Sequence, residues 1–111
     1  MNFIALSEFA RELKRLSKKY PSLERNFAES KLAIAQYPRG RSEKHWNRLY
    51  ESDVVAIFKT RVACDSLKGD SLRIVYGYRE REQRIDLIEL YFKGDKENEN
   101  RERIKDYLKK I

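Results

Sequence analysis

Residues 54–64 read VVAIFKTRVAC, and in this run the apolar period changes from that of a helix to that of a strand. Val54, Ala56, Phe58, Thr60, Val62 and Cys64 fall on one side of an extended chain. Val55, Ile57, Lys59, Arg61 and Ala63 fall on the other, because successive strand side chains point to opposite faces. Two more strands follow. Residues 72–77 put Leu72, Ile74 and Tyr76 on one face and Arg73, Val75 and Gly77 on the other. Residues 84–93 put Ile88, Leu90 and Phe92 on one face and Leu87, Glu89, Tyr91 and Lys93 on the other. The links carry turn signals: residues 65–70 contain Gly69, and residues 80–83 form a charged hairpin loop. Gly94 and Asp95 end the third strand.

Upstream, residues 2–6 (NFIAL) are an apolar run that predicts an edge strand. Ser7 is then the expected cap of a helix with a stripe of Phe9, Leu13, Leu16 and Tyr20. Pro21 ends that helix and draws Tyr20 out of helical geometry. Ser22 is placed to cap a second helix, with Leu23, Phe27 and Ile34 on one face and Ala28, Leu32 and Ala35 on a second, so burial on two sides is expected. Tyr37-Pro38-Arg39-Gly40 closes it with turn chemistry, and the short link makes the two helices a hairpin. A last helix starts around Asn98 or Asn100, with Ile104, Tyr107, Leu108 and Ile111 at helical spacing. The order β-α-α-β-β-β-α predicts an α+β fold. It consists of a small antiparallel sheet with a helical hairpin on one face, forming one domain over residues 1–111.

Charged residues make up 39% of the chain and the net charge is +7, which favours polyanionic partners. Cys64 is the only cysteine, so no intrachain disulfide can form. Ser7, Glu8 and Arg11 interrupt any signal-like apolar run, and no stretch nears the roughly 20 apolar residues that span a bilayer. A cytoplasmic location with no membrane partner is expected.

Lys59 and Arg61, then Arg73, then Lys93 beside Tyr91 lie on the same side of their strands. Pairing those strands as hairpins would gather the cations on one sheet face, away from the helical hairpin. Like charges on adjacent strands weaken a sheet. The group reads either as a solvated face whose Lys and Arg stems cover apolar neighbours or as a seat for an anion.

FKTRV (58–62), LRIVY (72–76) and LYFKGDKEN (90–98) followed by an amphipathic helix resemble the RelE/ParE toxins. FARELKRLSKKYPSLERNF (9–27) is similar to the helical hairpin of that superfamily. The resemblance implies the toxin of a type II toxin–antitoxin pair, a compact antiparallel sheet flanked by helices, and a co-encoded antitoxin as partner. Its RelE branch implies cleavage of mRNA on the ribosome. In that branch Lys59 and Arg61 match a basic pair on the first long strand, and Arg73 matches the arginine that supports the scissile phosphate. Tyr91, Lys93 and Lys96 are the nearest matches to basic and aromatic groups at the end of the sheet. Lys59, Arg61, Arg73 and Lys96 are accordingly the expected RNA contacts.

These residue types suit RNA cleavage by its own 2′-hydroxyl, which needs a base, an acid and charge stabilisation at phosphorus. That route needs no metal or cofactor. Guanidinium groups such as Arg61 and Arg73 match phosphate oxygens bidentately. Lys59 is the candidate base, with Glu89 competing on the same face, and Tyr91 can stack on a base or give a proton.

His45, the only histidine, sits in RSEKHWNRLY (41–50), before the sheet, and reads as a surface or loop residue away from the usual catalytic positions of that superfamily, some branches of which use a histidine near the C-terminus that this sequence lacks. Trp46 reads as a packing anchor and Cys64 as core. One cysteine and one histidine cannot make a conventional zinc site. The rival reading in a different class is a ParE-like inhibitor of DNA gyrase that does no chemistry of its own, and a non-toxic nucleic-acid-binding module is a third.

Overall fold

The structure, a computed structural model, describes residues 1–67 and 72–111. Gly69 and the later part of the expected 65–70 turn lie outside the described residues. The elements are β1 (Asn2–Ala5), α1 (Ser7–Lys19), α2 (Leu23–Gln36), β2 (Trp46–Glu51), β3 (Ala56–Val62), β4 (Leu72–Arg79), β5 (Arg84–Phe92) and α3 (Arg101–Lys110). They form an α+β fold around a five-stranded sheet of order β1-β5-β4-β3-β2.

Two features correct the expected antiparallel β-α-α-β-β-β-α plan. First, β2 is an additional strand, antiparallel to β3. It lies at the sheet edge, Trp46 is its one buried residue, and its register shifts between Arg48 and Tyr50. An edge strand polar on both sides and broken by a bulge leaves no alternating signal. Second, β1 is at the edge, as expected, but pairs parallel with β5, from Asn2↔Arg84 to Ala5↔Leu87. Parallel neighbours need a crossover, and here the chain between β1 and β5 supplies it.

The helical hairpin covers one sheet face. Phe9, Leu16, Leu23, Phe27 and Ile34 pack there with Phe58, Val62, Leu72, Ile74, Tyr76 and Leu90. Cys64 is buried in this core, as its position on the apolar face predicts. Tyr20 caps α1 in extended geometry (φ −123°, ψ 95°), as the following proline requires. Leu6 rather than Ser7 is the N-cap of α1; Ser22 is the N-cap of α2, as expected, but its Oγ accepts from Ser66 N at 2.8 Å instead of from the helix, tying the α1–α2 link to the segment after β3. The second apolar face of α2 is not buried: Leu32 is 73% exposed.

On the opposite face a smaller core joins Val55, Ile57, Val75, Ile88 and Tyr91 to Ile104 and Tyr107 of α3. The β5 pattern changes side within this core. A register shift at Val75/Tyr76 leaves Ile88 out of the ladder, so Leu87 packs towards the helical hairpin and Ile88 towards α3, the reverse of strict alternation. Gly77 makes room for α3, since a Cβ there would lie 2.6 Å from the Tyr107 hydroxyl. Among the described residues, no helix is long and apolar enough to cross a membrane.

Candidate functional site

The strand registers align the candidate residues in rows. Arg61 pairs directly with Arg73, and Arg73 with Tyr91, so the three share a face and a line across β3, β4 and β5. Directly opposed Cβ atoms are about 4.5–5.5 Å apart. The next row holds Asn47, Lys59, Val75 and Glu89. This face lies opposite the helical hairpin and is partly covered by α3 and the segment leading to it.

Arg73 is 4% exposed and donates to its neighbour's carbonyl, Leu72 O, at 3.2 Å. Leu72 and Ile74 on either side are buried in the first core, which fixes the strand and the outset of the guanidinium. Arg61, at the end of the row, is exposed. Tyr91 is 3% exposed, and its hydroxyl makes no hydrogen bond among the described residues. Burial, then the charges of Glu99 and Glu89, push its pKa up to about 12 against the opposing pull of Arg73, so the phenol keeps its proton at neutral pH.

The cations are interleaved with acids. Lys59 Nζ donates to Glu99 Oε1 at 2.8 Å, and Arg101 reaches Glu99 Oε2 at 2.7 Å. Burial acts most strongly to raise the Glu99 carboxyl. The Lys59 hydrogen bond, a backbone hydrogen bond and the charges of Lys59 and Arg101 together outweigh it and hold the group below its usual range. Glu89 is fully buried, accepts from Asn100 N at 2.8 Å and is ion-paired with Lys96. Lys96 also lies over the Tyr91 ring, 5.2 Å from its centroid. Lys93 does not join the row, because β5 ends at Phe92 and Lys93 is exposed in the turn beyond it.

Residue types and strand periods thus place Lys59, Arg61, Arg73 and Tyr91 together, and the loop after β5 adds Lys96 but not Lys93. Sequence reading missed Glu99, Arg101 and Arg103. Arg103 holds α3 down by a two-armed ion pair with Glu12, 2.8 Å for each arm, and by donating to Ile88 O at 3.0 Å. A loop acid such as Glu99 belongs to no periodic pattern, so no sequence signal marks it. Asn100 caps α3 by accepting from Arg103 N at 3.1 Å, at one of the two positions expected.

His45 is a half-buried turn residue just before β2, as expected, and its carbonyl accepts from Arg61 N at 3.1 Å. His45 and Arg61 line one open surface depression of about 480 Å³ with Glu43, Lys44 and Ala63. Trp46 is part of the sheet rather than of a segment before it; its indole N–H donates to the Tyr76 hydroxyl at 2.9 Å, which donates to Pro38 O at 3.0 Å.

No protein-family model matches the chain, and no curated protein matches it. Among solved structures, the chain is similar to one from the crystal structure of the archaeal RelE–RelB complex from Pyrococcus horikoshii OT3, with a TM-score of 0.63. The identity is 16%, and the match covers 84% of this chain and 94% of that one. The chain shares the fold of that structure.

Proposed function

We propose that the chain is the toxin of a type II toxin–antitoxin pair and acts in the cytoplasm as a ribosome-dependent endoribonuclease, blocking translation by cutting mRNA. The observation that carries this reading is the row Arg61–Arg73–Tyr91, in which two guanidinium groups lie in register beside a buried phenol with no hydrogen-bond partner among the described residues. Opposed like charges on neighbouring strands weaken a sheet, and two guanidinium groups in register can share one anion. A phosphodiester has the charge and the oxygen geometry to meet both.

In this reading Arg61 and Arg73 hold the scissile phosphate, and Lys59 and Lys96 meet neighbouring phosphates. The 2′-oxygen forms a bond to phosphorus as its proton passes to a base. The bond from phosphorus to the 5′-oxygen breaks, and Tyr91 supplies the proton for the leaving oxygen. Arg73 is preorganised by its strand, so little ordering is needed as charge develops. Lys93, exposed and beyond the strand, contributes long-range charge only. A co-encoded antitoxin of opposite charge would neutralise the +7 chain. The similar structure is a RelE–RelB complex, which supports a partner of that kind.

The test is brief expression followed by primer extension on translated mRNA, beside a gyrase supercoiling assay. Cuts within translated codons that vanish when translation is blocked support the proposal. Inhibited supercoiling with intact mRNA overturns it in favour of the gyrase-directed reading.

A further inference from the structure

We infer that Lys59 and Arg101 form a second seat for an RNA phosphate, held in the free chain by the Glu99 carboxylate, so that residues 93–99 are a strap which the RNA displaces. The inference rests on the ribonuclease reading and adds a regulation to it.

The strap runs from the end of β5 at Phe92 to Asn100, the N-cap of α3. It is exposed at Lys93, Gly94, Asp95, Glu97 and Asn98, yet the Glu99 side chain is only 1% exposed. One acid of a solvent-facing segment thus turns in towards the sheet. Its two oxygens go to cations of different elements: Oε1 takes Lys59 Nζ of β3 at 2.8 Å, and Oε2 takes Arg101 Nη2 of α3 at 2.7 Å. A phosphodiester offers the same pair of anionic oxygens, and ammonium and guanidinium groups bind phosphate as they bind carboxylate. Lys59 and Arg61 lie two residues apart on one side of β3, about 6–7 Å along the strand. A phosphate on Lys59 and another on Arg61 and Arg73 then belong to neighbouring nucleotides of one RNA strand.

With the strap closed, that strand has no path to the proton donor. Tyr91 is 3% exposed and Lys96, also of the strap, lies over its ring. The moving part is bounded at both ends. Beyond Phe92, the Asn100 N–H is held by Glu89, and α3 is held by Arg103 on Glu12 and by Tyr107 on Asp86. Arg101 therefore stays beside the sheet when residues 93–99 lift. Opening an empty seat leaves Lys59, 17% exposed, without its counter-charge, which is costly. RNA supplies a new anion as the carboxylate departs, so the strap rests closed and its ligand opens it.

The experiment is single-turnover cleavage on mRNA-programmed ribosomes against enzyme concentration, for wild type, Glu99→Gln, Glu99→Asp, Lys59→Ala and the Lys59→Ala, Glu99→Gln double variant. Each is assayed well below the midpoint of its own melting curve. Removing a carboxylate that only braces the fold leaves RNA binding unchanged or weaker; removing one that competes with RNA strengthens it. Glu99→Gln should reach half-maximal rate at a concentration on the order of tenfold lower, because the binding-competent state is no longer a minor fraction. Glu99→Asp, too short to span both cations, should fall between, and Glu99→Gln should bring no gain in the Lys59→Ala background. In wild type, whatever the variants' stability, the carboxyl carbon NMR resonance of Glu99 should move to the range of exposed glutamates on adding a 2′-O-methyl oligoribonucleotide, which cannot cleave itself. Unchanged or weaker half-saturation in a folded Glu99→Gln, or a Glu99 resonance that the RNA leaves in place, overturns the inference; cleavage by wild type then leaves the ribonuclease reading standing. If wild type cuts no mRNA, that reading fails and the inference with it.

Discussion

Arg61 and Arg73 stand directly opposite each other across the β3–β4 ladder. Opposed like charges at that spacing are destabilising by a few tenths to about 1 kcal/mol. In the folded chain, acids on neighbouring elements offset part of the repulsion on this face: Glu99 on Lys59 and Glu89 on Lys96. Lys59 of the sheet is thus held by Glu99 of the segment before α3, and Lys96 of the loop after β5 by Glu89 of the sheet.

Glu99→Gln should destabilise the protein. The Glu99 side chain is 1% exposed and its partner Lys59 17%, so the substitution leaves a largely buried ammonium without its counter-charge. Breaking such a pair costs about 3–5 kcal/mol, which urea denaturation would measure. The sign with pH follows from the lowered Glu99 carboxyl. Its stabilisation is present above the unfolded value, about 4.3, and is lost as pH falls through the lower folded value. Wild type should lose stability over that acid range, and Glu99→Gln should show a shallower slope.

Tyr91→Phe should leave stability at neutral pH nearly unchanged, because the hydroxyl makes no hydrogen bond among the described residues. Burial, chiefly, raises its pKa to about 12. The folded state therefore holds this proton more tightly than the unfolded chain, whose phenol ionises at about 10. Stability is intact below that value and falls as pH rises towards about 12. Melting temperature against alkaline pH should fall less steeply in Tyr91→Phe. A parallel loss of cleavage at neutral pH would mark the phenol as the proton donor.

Gly77→Ala should destabilise by about 1–3 kcal/mol through overpacking, since its Cβ would press on the Tyr107 hydroxyl. Tyr107→Phe should cost about 1–3 kcal/mol, because that hydroxyl donates to the buried Asp86 at 2.6 Å. The two changes should not add. Removing the hydroxyl also removes the closest contact of the new methyl group, so the double variant should be more stable than the sum of the singles implies. Chemical denaturation of all four proteins completes the cycle.

The legibility of this chain followed burial. On β3 and β4 each side of the strand meets a core, so Phe58, Val62 and Ile74 and, opposite them, Ile57 and Val75 kept a clean period that the sequence displays. On β5 one extra residue at Ile88 reversed the phase, and a bulge has no residue signature of its own here. β2 was hidden because an edge strand needs only Trp46 inside. Arg61, Arg73 and Tyr91 were legible because the strand period and the resemblance agreed on them. Glu99 and Arg101 were not, because a loop and a helix start bring them over the sheet through tertiary contacts alone.

The central claim is that the aligned arginines stabilise charge on a phosphate, and Arg73 tests it most directly. Arg73 is 4% exposed and lies on a strand whose neighbouring residues are locked in the core. The measurement is single-turnover cleavage of mRNA on programmed ribosomes by wild type, Arg73→Ala and Arg73→Lys, each with a melting curve. Loss of one preorganised donor to a developing oxyanion should slow Arg73→Ala about 10²–10³-fold. Arg73→Lys should recover only part, because an ammonium cannot make the paired contact. A folded Arg73→Ala that cuts mRNA at the wild-type rate would contradict the account.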